Sequence, residues 1–138
     1  MQRKLLALAM VVFLAALVLR SQDPIQVFAS EQERSDFMKS IGAQEQIRLI
    51  ALVTDWCPAC RAFEASLESA HIPYARVNIE ENSAGRALFE KGVALGAPRA
   101  IPQAVFGLSI VGQAEAFKQA VAEQRGQATE ERPTHARQ

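Results

Sequence analysis

Ile47-Arg48-Leu49-Ile50-Ala51-Leu52-Val53-Thr54-Asp55-Trp56-Cys57-Pro58-Ala59-Cys60-Arg61 is the stretch on which the fold turns. From Ile47 to Thr54 the chain is apolar, partly β-branched and short, the pattern of a buried strand. From Arg61 to Ala70 the pattern changes. Phe63 and Leu67 stand four apart, with Glu64 and Glu68 beside them, which is a helical period. The only two cysteines of the chain lie where one pattern gives way to the other. Cys57 therefore falls at or just before the first helical turn, and Pro58 near the first helical position, where a missing N–H costs nothing.

That placement carries chemistry. The free N–H groups and positive dipole end of a helix favour a thiolate at Cys57 and make it the attacking sulfur. Cys60 lies about one turn further in, on nearly the same face, so it can reach back and resolve a mixed disulfide. Arg61 adds positive potential, and Asp55 acts in the opposite sense. The direction of electron flow stays open at this point.

Other uses of two cysteines fit less well. A structural disulfide closing so small a loop would constrain little of the unfolded chain. A zinc site wants four ligands, and only His71 and His135 remain, at irregular spacing. Haem attachment needs a histidine after the second cysteine, where Arg61 stands. A copper-chaperone loop resembles Met-x-Cys-x-x-Cys, and Thr54 or Asp55 stands where the methionine belongs. No metal is expected.

The chain from about Ile47 to Glu123 resembles the thioredoxin superfamily, nearer its glutaredoxin branch. Pro58 within the cysteine pair is similar to the glutaredoxin Cys-Pro-x-Cys motif, with Arg61 as the basic residue that often follows; Trp56 is a thioredoxin-type feature. Ile101-Pro102-Gln103, then Val105-Phe106 and Gly112, resembles the glutaredoxin run Val-Pro-x-Val-Phe leading to a glycine before the last helix. In the family this proline is cis and packs against the cysteines, and the resemblance implies the same for Pro102. Two departures bear on glutathione, the glutaredoxin cosubstrate. Gln113 and Ala114 replace the family's second glycine and acidic residue, and Ala100 replaces its threonine. No cofactor is expected beyond the dithiol itself. Thioredoxin's buried acid on the first strand is also missing from Leu49 to Val53.

The rest of the chain sets the frame. At 138 residues and 49% hydrophobic content, one domain with a real core fits and two do not. Fifteen basic and fifteen acidic residues cancel, so no field draws nucleic acid. Arg3 and Lys4 precede an uninterrupted apolar run from Leu5 to Leu19, closed by Arg20, which suits export with the N-terminus left in the cytoplasm. The run is 15 residues long, against roughly 20 for a comfortable membrane span. Residues 1–20 are therefore read as a cleaved signal peptide or a short membrane anchor. Export suits a chain with no spare thiols, since these mispair in an oxidising compartment.

Residues 21–46 read as a linker holding one short helix, Glu31 to Lys39, capped by Ser30 and packed lightly through Phe37, Met38 and Ile41. Gly42 closes it. Within 47–124, Tyr74 to Ile79 alternates as a second strand parallel to the first. A helix from Ala84 to Lys91 follows, capped by Asn82 or Ser83, facing inward through Ala84, Ala87 and Leu88, and ended by Gly92. Gln103 to Phe106 is the third strand and Ile110-Val111 a short edge strand. A last helix begins at Gly112 and faces inward through Ala114, Phe117 and Val121. Residues 125–138 read as a disordered polar tail.

The expected fold is thus α/β and thioredoxin-like of the glutaredoxin type, a central four-stranded mixed sheet with flanking helices plus an N-terminal hydrophobic helix. The expected activity is thiol–disulfide exchange with protein substrates and a redox partner protein. Cys57 and Cys60 are its catalytic residues, and Trp56, Pro58, Arg61, Ile101 and Pro102 form the substrate surface. The chain is expected to act as a monomer on the periplasmic or other extracytoplasmic side, in contact with the membrane through residues 5–19 where these are retained. The competing reading is a tethered binding or redox-sensing module without turnover.

Overall fold

Strand β2, Leu49–Val53, is central, and all five of its residues are buried. Successive side chains on a strand point to opposite faces. Ile50 and Leu52 accordingly belong to one core, and Leu49, Ala51 and Val53 to another. A strand buried on both faces needs helices on both, which is why it reads as an unbroken apolar run.

The computed structural model, which describes residues 2–20 and 24–130, supplies those helices. The first core takes Met38 from α2 (Glu31–Ser40) and Leu88 and Phe89 from α4 (Ser83–Ala94). The second takes Cys60, Phe63 and Leu67 from α3 (Pro58–Ser69), and Ala116 and Ala120 from α5 (Gln113–Glu130). Three layers result, with the sheet in the middle.

The sheet is mixed. β2 runs parallel to β3 (Tyr74–Asn78), with α3 as the crossover between them, and antiparallel to β4 (Gln103–Phe106). β4 pairs antiparallel with β5 (Ser109–Val111) through the turn at Gly107, whose φ of 61° suits a residue without a Cβ. The register sets Leu52 opposite Gln103. The start of β4, directly after Pro102, therefore lies beside the end of β2, directly before the cysteine loop. Two stretches more than forty residues apart in sequence meet at one edge of the sheet.

The expected four strands are five. Ile25–Gln26 forms β1, which pairs antiparallel with β5, and the order is β1-β5-β4-β2-β3. β5 is consequently not an edge. The stretch read as a lightly packed linker belongs to the domain, since Val27, Phe28 and Met38 are almost fully buried in the first core. Arg34 of α2 is buried as well. Its guanidinium donates to the carbonyls of Glu45 and Ile47 and so fixes the chain entering β2.

Other boundaries move for packing reasons. Gly92 does not end α4. It is buried inside the helix, and a Cβ there would lie 2.3 Å from Ile110 Cδ1. Gly96, with φ 111°, follows the helix instead. The inward stripe of α4 is Gly85, Leu88, Phe89 and Gly92, while Ala87 is exposed. On α5 the buried positions are Ala116 and Ala120; Ala114 is exposed and Phe117 and Val121 are half-buried. The helix runs on to Glu130, so residues 125–130 are helical, and its Gln124 side chain donates to the His71 carbonyl. The remaining tail, with His135, and residues 21–23 of the linker lie outside the described residues.

Helix α1, Gln2–Arg20, leaves the large apolar side chains from Leu5 to Leu14 exposed. Among the described residues no helix is long and apolar enough to cross a membrane.

Candidate active site

Cys57 is the residue capping α3. Its φ of −81° and ψ of 112° are extended, its carbonyl accepts the Arg61 N–H, and its Sγ accepts the Cys60 N–H at 3.1 Å. A sulfur here does what a serine or aspartate does at other helix starts, taking an amide that the helix leaves unpaired. Pro58 follows at the first helical position, exposed, where its ring suits the helical φ.

Both cysteines are free thiols, and their burial differs in kind. Cys57 is 5% exposed, at the surface end of the helix, whereas Cys60 is wholly buried. Burial pushes the Cys60 thiol up to about 11, helped by its hydrogen bond with the Cys57 sulfur and by the negative charge of Glu64. A thiol so placed keeps its proton near neutral pH.

The Ile101–Pro102 bond is cis. Pro102 is buried, and the Ile101 carbonyl faces Cys57, whose thiol donates to it at 3.9 Å. The structure thus brings Cys57, Cys60, Ile101 and Pro102 together. Trp56 stands 63% exposed beside them, its indole N–H donating to Glu80. Arg61 donates to the Asp55 carbonyl at 2.9 Å. On the far side of the pair, Ala59, Ala62, Phe63, Ala114 and Phe117 line a shallow, mainly apolar groove.

The sequence did not point to Arg76. It reads as an ordinary outward position of an alternating strand, yet its guanidinium reaches Asp55 Oδ1 at 2.6 Å and Glu64 Oε1 at 2.7 Å. Its only sequence signal is indirect: parallel pairing sets it beside Ala51, on the strand leading to the cysteines. Among the described residues no group of three or more histidines, cysteines or carboxylates is placed to hold a metal ion.

No family model and no curated protein matches the chain. Among solved structures it is similar to a buckwheat glutaredoxin in complex with glutathione, at 15% identity over 67% of this chain and 84% of that one, with a TM-score of 0.42. It is likewise similar to glutaredoxin C1 from Populus tremula x tremuloides, at 17% identity over 66% and 86% with a TM-score of 0.43. A wheat glutaredoxin aligns at 10% identity over 71% and 89% with a TM-score of 0.46. The chain's own architecture is a mixed α/β sheet with the cysteine pair opening α3 and a cis proline at the start of β4.

Proposed function

We propose that the chain is a thiol–disulfide oxidoreductase acting on protein clients. The observation that carries this reading is the cysteine pair itself: Cys57 at the helix start accepting the Cys60 N–H, with Cys60 buried one turn behind it. In the reducing direction the Cys57 thiolate attacks one sulfur of a client disulfide. A Cys57–client disulfide forms, and the other client sulfur leaves as a thiolate that takes up a proton. Cys60 then loses its proton and attacks Cys57, forming the Cys57–Cys60 disulfide and releasing the second client thiolate. The client gains two electrons, the pair loses two, and a second dithiol protein restores the pair by the same steps reversed.

A protein client fits the surroundings. The exposed Trp56, the Ile101 backbone and the apolar groove along Ala59, Phe63 and Phe117 offer a flat docking face beside the sulfur. Gln113, where the resembling family keeps a small residue for glutathione, donates its amide to the Pro102 carbonyl at 3.4 Å, which favours protein over glutathione as the client.

Export belongs to the same proposal. Arg3 and Lys4 followed by an apolar helix support reading residues 1–20 as a targeting segment, placing the cysteines in an extracytoplasmic compartment. N-terminal sequencing of the protein recovered from cells tests this, and recovery from the cytoplasm with Met1 intact would count against it.

The activity is tested by following reduction of a disulfide-bonded protein with dithiothreitol as the electron source. Acceleration that is lost in Cys57→Ser supports exchange. Thiols inert to alkylation near neutral pH, with no acceleration, would leave only a binding module.

A further inference from the structure

The cysteine pair is flanked by two carboxylates. Asp55 lies two residues before Cys57, in the loop leaving β2. Glu64 lies four residues after Cys60, one turn along the same face of α3, with its side chain only 12% exposed. An ionised carboxylate beside a thiol opposes its ionisation, and Glu64 already acts on the resolving Cys60 in this sense.

One cation meets both. Arg76 reaches across from the middle of β3, Nη2 to Asp55 Oδ1 at 2.6 Å and Nε to Glu64 Oε1 at 2.7 Å. A guanidinium can do this because its donors form a rigid fork, where an ammonium supplies one point of charge. The other polar groups around the bridge strengthen it. Tyr74, also on β3, donates to Glu68 Oε1 at 2.9 Å and lies 3.4 Å from Glu64 Oε1. Burial and the two glutamates hold its phenol well above its ordinary value, so it remains a donor. Arg61 ties the Asp55 carbonyl from the helix side.

We propose that Arg76 is a positioning residue for the cysteine pair, holding Asp55 and Glu64 in a bridge that weakens the charge each brings to bear on Cys57 and Cys60. The proposal rests on the exchange function above and adds a residue outside its motifs. It also accounts for a loop carrying an aspartate next to a nucleophilic sulfur.

The test times proton-limited resolution. The reduced full chain, in detergent, is mixed with an aromatic disulfide reagent whose thiol is coloured. The first coloured thiol leaves when Cys57 attacks, and the second leaves when Cys60 displaces it from Cys57. Stopped-flow absorbance follows the second release as a function of pH. Arg76→Met is expected to slow it about three- to tenfold at neutral pH and to displace the profile upward. Arg76→Lys is expected to recover most of the rate. Adding Asp55→Asn and Glu64→Gln to Arg76→Met is expected to restore the rate to at least that of the wild type, which a purely structural role of the arginine stem would not do. An unchanged profile in Arg76→Met, or a triple variant that stays slow, overturns the role of Arg76 and leaves exchange intact. A wild type that never releases the second thiol overturns both.

Discussion

The Cys60 backbone N–H donates to Cys57 Sγ across 3.1 Å, so the deeper cysteine holds the outer one at the helix start through its main chain. This bond survives any change of the Cys60 side chain. Cys60→Ser should therefore leave Cys57 as reactive as before and remove only the resolving sulfur. Mixed disulfides with protein clients should accumulate, visible as reducible high-mass species by non-reducing electrophoresis and mass spectrometry. Cys57→Ser should show none and no turnover. Equal trapping by both variants would reverse or remove the assigned roles.

The Cys60 thiol makes stability depend on pH. Folding raises it from 9.0 to about 11, chiefly through burial. The unfolded chain thus releases this proton first, and between these two values it binds fewer protons than the folded chain. The contribution is fully present below about pH 9 and is lost as pH rises toward about 11, a loss on the order of 2–3 kcal/mol. Urea unfolding of the reduced protein at about pH 8 and about pH 11 should show the drop. Cys60→Ala should lack it, and a drop of equal size in that variant would assign it to other groups.

Much of the site was legible in the sequence because its signals are local. A strand pattern ending at Thr54, cysteines at the change of period and Asn82 before a helical run each depend on neighbours within a few positions. What was not legible depends on distant partners. Ile25–Gln26 is too short to show a period and becomes a strand only because β5 offers an edge. Met38 reads as one light contact of a mostly polar helix, and its complete burial comes from the sheet beneath it. Gly92 looks like a helix stop until Ile110 is seen against it. Arg76 has no motif, and its role exists only once α3 folds back over β3.

Gly85 makes the same point in a testable form. It is the first residue of the inward α4 stripe, and a Cβ there would fall 2.3 Å from Val77 Cγ1. Val77 is 2% exposed and β-branched, so it cannot swing aside. Alanine in place of glycine ordinarily favours a helix by about 1 kcal/mol. Here overpacking should outweigh that, and Gly85→Ala should destabilise by roughly 1–3 kcal/mol. Chemical denaturation measures it, and a stabilised variant would mean that α4 stands further from β3 than described.

The segment before β2 yields the largest expected effect. Val27, Phe28 and Met38 are at most 2% exposed and pack with Ile50, Leu52 and Val105. β1 covers the outer side of β5, and Arg34 fixes the approach to β2. A chain shortened to residues 47–130 would lose three core side chains and a strand together, and would leave an unpaired sheet edge over an open apolar face. It should show no cooperative unfolding transition, whereas a chain beginning at Pro24 should unfold cooperatively. Within the full chain, Met38→Ala alone should cost about 2–5 kcal/mol through the cavity it leaves. Circular dichroism with urea titration distinguishes the cases. A cooperative transition at an unchanged midpoint in the 47–130 chain would show that the segment is an appendage, and the five-stranded sheet would have to be given up.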